Sequence, residues 1–250
     1  MAAPSVTMAH RIAALLDHAT IVKPDGDGPF KTVLLMHGCG GRKPFMDRWA
    51  HVVRDAGCAA IVIDSYAPRR ISRTEAYALI CTGLKFWGRE RAGDLYAMLA
   101  WARAQSWTGP LVAAGWSHGG WTILDALALD PKGEAQRATG LRDVPADPLA
   151  GLSAAFLAYP YVGPASLARR RTWHAHPRTL AIAAGRDTIV GQITPRLHAL
   201  TQSGLPLETR LFETATHAFD ESDANDPRVR YDEALTLRAH GLMRDLLDSI

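Results

Sequence analysis

The chain has 250 residues, 48% of them hydrophobic and 21% charged, which is enough apolar material for a single globular domain over residues 1–250 and excludes disorder or a coiled coil. Its net charge of +3 comes from a small Lys and Arg excess spread along the chain, which leaves no footprint for nucleic acid. Three cysteines at no short paired spacing, Cys39, Cys58 and Cys81, argue against a disulfide framework or thiolate metal site, and no apolar run reaches membrane-spanning length, so a soluble cytoplasmic protein with no membrane span is expected.

In chain order, Ile12 to Leu16 is apolar but is ended by Asp17 and His18 before it becomes a signal segment, and reads as a short helix before an extended Ile21 and Val22. Residues 32–36 read as a strand ending at His37-Gly38-Cys39-Gly40-Gly41, and residues 49–56 as a helix with Gly57 as its cap. Residues 59–64 are a buried strand, followed by an irregular loop over 65–70. Residues 89–105 predict a long helix with Leu95, Met98, Leu99 and Ala102 on one face and Glu90, Arg91 and Asp94 on the polar side. Residues 111–114 lead as a strand into Gly115-Trp116-Ser117-His118-Gly119-Gly120, and residues 121–129 have helix-forming composition. Residues 131–148 are charged and punctuated by Gly and Pro, and residues 161–177 read as loop or cap, so 131–177 is expected to be a surface excursion that shapes a pocket over Ser117. Strands at 153–159, 179–184 and 207–213 and helices at 193–203 and 231–249 complete the pattern. Short apolar runs alternating with longer amphipathic ones define the α/β class, a mostly parallel central sheet with helices on both faces.

Within this frame Ser117 occupies a sharp turn between strand and helix, where glycines at 115 and 119 avoid a collision with a strained backbone. A serine hydroxyl needs a general base oriented by a carboxylate, and the order serine, acid, histidine at successive strand ends selects Asp187 and His217. Asp220 is the alternative acid. The oxyanion formed by attack on a carbonyl needs two donors. The backbone N–H of His118 is one, and that of Cys39 the other, with Gly38 as fallback. Trp116, Tyr66, Tyr159 and Phe219 are candidate pocket walls. Arg69, Arg70 and Arg73, and the run Arg169-Arg170-Arg171, could meet an anionic substrate or simply face water. His174 and His176 lack a third ligand, so no metal is expected.

Taken together, His37-Gly38-Cys39-Gly40-Gly41, Asp64-Ser65-Tyr66 with Pro68-Arg69, the stretch around Ser117, Tyr159-Pro160-Tyr161, Gly185-Arg186-Asp187 and His217-Ala218-Phe219 resemble the α/β-hydrolase superfamily and, within it, the dienelactone hydrolase family. The resemblance implies an α/β-hydrolase fold and hydrolysis of a small-molecule carboxylic ester or lactone through an acyl-enzyme, without a cofactor. The founding members of that family carry cysteine where this chain has Ser117, which points to carboxylic esters in general rather than to dienelactone. Two other readings stay open at this point: an amide or peptide hydrolase of the same fold, and a ligand-binding protein that keeps the fold without catalysis.

Overall fold

The computed structural model describes residues 5–250. Seven strands form one sheet in the order β1-β3-β2-β4-β5-β6-β7. They are β1 (Thr20–Val22), β2 (Phe30–Met36), β3 (Ala59–Ile63), β4 (Thr108–Trp116), β5 (Leu152–Ala158), β6 (Arg178–Ala184) and β7 (Leu207–Phe212). The short β1 runs antiparallel to β3 at one edge, and every other pairing is parallel. Parallel strands must be buried on both faces, and β3 accordingly has all five residues buried.

The helices are α1 (Met8–Leu16), α2 (Pro44–Asp55), α3 (Arg73–Glu75), α4 (Gly88–Arg103), α5 (His118–Ala128), α6 (Glu134–Thr139), α7 (Thr194–Gln202) and α8 (Glu233–Asp248). The strand period of two divides the sheet's side chains between two cores. Leu34, Met36, Ala113, Leu157 and Ala183 point to the side covered by α1, α4, α5 and α7. Val33, Leu35, Val112, Phe156 and Ile182 point to the side covered by α2 and α8. The α/β-hydrolase fold expected from the sequence is the fold of the chain. Among the described residues no helix is long and apolar enough to cross a membrane.

Several local expectations need correcting. Helix α4 is not polar along its Arg91 and Asp94 side, because both residues are fully buried. Asp94 accepts hydrogen bonds from Arg69 and Arg11, and these guanidiniums hold its carboxyl below the usual range although burial acts to raise it. Arg69 is thereby engaged in the scaffold, as is Arg171 with Glu134.

Cys39 and Cys81 are joined by a disulfide, with Cα atoms 5.1 Å apart, and Cys58 alone is free. An odd cysteine count and a separation of 42 residues conceal such a pair in the sequence. The bond removes the premise for a cytoplasmic location, since structural disulfides persist in oxidising compartments. It anchors a segment for which the sequence offered no reading: Ser72 caps α3, which runs directly into one π-helical stretch, Ala76–Ile80.

Candidate active site

The turn after β4 holds Ser117 at φ 51° and ψ −109°. Two positions before and after Ser117, only a glycine is tolerated. A Cβ on Gly115 would lie 2.4 Å from the Gly119 carbonyl carbon, and one on Gly119 would lie 2.0 Å from the Met36 oxygen. Among the described residues five non-glycine residues have positive φ, and four of them, Phe86, Ser117, Tyr159 and Ala218, surround this turn. Backbone strain of this kind persists only where the surrounding structure over-determines it.

Asp187 follows β6 and His217 follows β7, and the structure brings both to Ser117. The His217 Nδ1–H donates to Asp187 Oδ2 at 2.6 Å, which leaves Nε2 facing Ser117 Oγ at 2.8 Å. The other Asp187 oxygen accepts the backbone N–H groups of Ile189 and Val190 at 2.9 and 3.0 Å, fixing the carboxylate. All three residues are buried, Ser117 being 8% exposed.

Asp220, the alternative acid, lies elsewhere. It accepts from Trp49 Nε1 and Trp116 Nε1, both at 2.8 Å, and from the Tyr159 hydroxyl at 2.5 Å. Burial pushes its carboxyl up, and the three donors oppose that shift. The Tyr159 ring packs edge-on against His217, with centroids 4.8 Å apart, so this cage supports the histidine from below.

The loop after β2 passes beside Ser117: a Cβ on Gly38 would lie 3.7 Å from the Ser117 Cβ. Neither the Cys39 nor the His118 backbone N–H has an acceptor among the described residues; His118 follows the serine directly, and Cys39 lines the same cavities as Ser117. The Cys39 N–H belongs to the same planar peptide as the Gly38 oxygen, which is held by His37 Nδ1 at 2.7 Å and by the Gly41 N–H at 3.3 Å. Fixing that carbonyl fixes the direction of the N–H.

One buried cation ties these parts together. Arg91 donates from Nη1 to the His37 carbonyl at 2.7 Å and to His118 Nδ1 at 3.1 Å, and from Nε to Ser65 Oγ at 2.9 Å. Its Nη2 has no hydrogen-bond partner among the described residues. Burial, with Arg91 alongside, depresses the His118 pKa to about 3, so the ring is neutral. Its Nδ1 then accepts from Arg91 while Nε2–H donates to the Phe86 carbonyl at 2.9 Å. The sequence signals neither Arg91 nor the ring of His118, since a charged residue in an amphipathic pattern reads as solvent-facing.

The candidate pocket walls are placed differently from expectation. Trp116, Tyr159 and Phe219 are fully buried and Tyr66 is 4% exposed, and none of the four lines a cavity beside Ser117. They are enclosed by the core and do not face the cleft. Tyr66 instead donates its hydroxyl to the Cys39 carbonyl at 3.0 Å. The walls come from the 77–83 segment and from 221–229 after His217, while of residues 131–177 only Tyr161 takes part. A cavity of about 460 Å³ at the β6–β7 edge, near Leu180 and Leu246, is lined by none of Ser117, Asp187 and His217.

The sheet order and helix layers are those of the α/β-hydrolase fold. No family model and no curated protein matches the chain. Solved structures do. A Klebsiella pneumoniae protein assigned as a dienelactone hydrolase aligns with TM-score 0.68 at 17% identity, over 93% of this chain and 92% of that one. Esterase 2 of Thermogutta terrifontis, phosphonylated by cyclosarin, aligns with TM-score 0.64 at 16% identity over 92% and 88%. A dienelactone hydrolase from Anabaena variabilis aligns with TM-score 0.61 at 19% identity over 92% and 90%. At these identities the likeness is one of fold.

Proposed function

We propose that the protein is a serine hydrolase of carboxylic esters, lactones included, working through an acyl-enzyme. The observation that carries this reading is the continuous chain from Asp187 through His217 to Ser117, at 2.6 and 2.8 Å, at the carboxyl edge of the sheet. The structural neighbours whose names are esterases and dienelactone hydrolases support it at the level of fold.

In this mechanism Ser117 Oγ attacks the ester carbonyl as its proton passes to His217 Nε2. The new imidazolium is stabilised by Asp187, and the tetrahedral oxyanion by the Cys39 and His118 N–H groups. Collapse breaks the bond to the alcohol oxygen, which takes the proton from His217. A water, deprotonated by the same imidazole, attacks the acyl-enzyme and releases the acid, restoring Ser117.

Stopped-flow mixing with a nitrophenyl ester tests the reading. An initial burst of nitrophenol of about one equivalent per chain, absent in Ser117→Ala, is the expected result. Equal turnover by Ser117→Ala would remove the proposal.

A further inference from the structure

The cleft above Ser117 has two arms of different chemistry. They share Cys39, Cys81, Thr82, Ser117 and Ile189, so the disulfide and Ile189 form the waist between them. On the His217 side lies a cavity of about 300 Å³, which contains Lys43 and Glu221. It continues outward into a space of about 530 Å³ through the shared residues Lys43, Tyr77, Asn225, Asp226 and Arg228. On the other side, under His118, Trp121, Tyr161, Ile80 and Val190, lies a cavity of about 220 Å³ that His217 does not reach.

Reaction chemistry assigns the arms. The atom that takes the proton from His217 Nε2 is the oxygen of the departing alcohol, so the alcohol must lie in the arm that His217 lines. The acyl chain points the other way, into the arm whose lining has no charged side chain. That arm is below the ~300–1,000 Å³ of pockets for drug-sized ligands, so it takes a short chain.

Charge then limits the alcohol. The charged arm on the His217 side and its outer space carry Lys43, Arg73 and Arg228 against Glu221, Asp223 and Asp226, three of each sign. Lys43 is bound to Glu221 at 2.5 Å and Arg228 to Asp226 at 2.6 Å. Burial acts to lower the Lys43 pKa, but Glu221 and Tyr77 together leave it raised, so the ammonium is kept and already has its counter-ion. Arg73 and Asp223 line only the outer space, so within the inner arm an anionic or cationic alcohol would have to displace one member of a pair, whereas a neutral hydroxylated one can hydrogen-bond to both.

Resting on the esterase reading, we infer that the substrate is an ester of a short apolar acid with a neutral, hydroxyl-rich alcohol, the acid seated against Trp121 and Tyr161 and the alcohol between Lys43 and Asp226.

Three measurements on the full chain test this. Labelling of Ser117 by a small fluorophosphonate, which needs neither arm, checks the underlying reading separately. Among butyryl esters, glycerol monobutyrate is expected to exceed propyl butyrate, butyrylcholine and butyryl lactate in kcat/KM by about tenfold. The double variant Lys43→Met/Glu221→Met, which leaves no unpaired charge, should abolish that ranking while the preferred acyl length stays the same. Tyr161→Ala should shift the acyl optimum of a nitrophenyl series, from acetyl to octanoyl, toward longer chains while the alcohol ranking is kept. With Ser117 labelled, a charged or purely apolar alcohol ranking first, or Tyr161→Ala changing only the alcohol preference, overturns the assignment. Absence of labelling would instead remove the esterase reading beneath it.

Discussion

An imidazole serves as a base only when its lone pair faces the nucleophile, and here Asp187 sets that orientation by holding the Nδ1 proton. Asp187→Asn keeps the shape but offers an amide that can stabilise the wrong tautomer. Steady-state kinetics on it should show kcat reduced by about four orders of magnitude. Asp220→Asn should cost far less activity, because its oxygens contact Trp49, Trp116 and Tyr159 rather than His217. Its cost should appear as a lower denaturation midpoint, since an amide N–H would face a donor. Arg91 is the further test at this scale. Arg91→Met removes the link between the His37 carbonyl and the His118 ring, and we expect kcat to fall by about 100-fold with KM little changed, the scale of one misdirected oxyanion donor. A KM rise with unchanged kcat would assign Arg91 to substrate binding instead.

Among the elements, the most consequential junction is the one between the loop after β2 and the Ala76–Ile80 segment, closed by the Cys39–Cys81 bond. The bond encloses a loop long enough that closure entropy alone is worth about 4 kcal/mol. Cys81→Ser should therefore lower unfolding free energy by about 2–4 kcal/mol in urea titration. It should also weaken ester turnover, because Cys39 supplies a proposed oxyanion donor. Helix α5 offers a pH test. Its Asp125 accepts from Trp121 Nε1, Ser166 Oγ and the Leu167 N–H, tethering the 166–167 segment. Burial raises its pKa to about 7 from an ordinary 3.8. Between these values the folded chain keeps a proton that the unfolded chain has lost, so this residue's contribution to stability falls as pH rises from about 4 to about 7 and is level above that. The midpoint difference between wild type and Asp125→Asn should thus shift in favour of the variant from about pH 5 to about pH 8, and a constant difference would refute the coupling.

At the scale of the molecule, the sheet and its helices were legible because their signals are local and periodic: apolar runs such as Val33 to Met36 and Ile61 to Ile63 can only be buried strands. Ser117, Asp187 and His217 were legible because each stands just past such a run. What escaped the sequence depends on distant partners. Nothing near Arg91 announces that His37, Ser65 and His118 will converge on it, and nothing near Cys81 announces Cys39. The pocket was misplaced for a related reason: large aromatics such as Trp116 and Phe219 resemble ligand-binding walls but fill the core, while the cavity walls come largely from unpatterned residues at 77–83 and 221–229. The two-armed cleft is therefore a property of tertiary assembly, set on a fold that the local pattern already implied.

The central claim is that Ser117 is the nucleophile, activated through His217. Its most direct test is peptide mapping by mass spectrometry after reaction with a fluorophosphonate. A single adduct on the peptide carrying Ser117, lost in Ser117→Ala and strongly slowed in His217→Ala, is the predicted result. An adduct on another residue, or labelling that His217→Ala leaves unchanged, would contradict it.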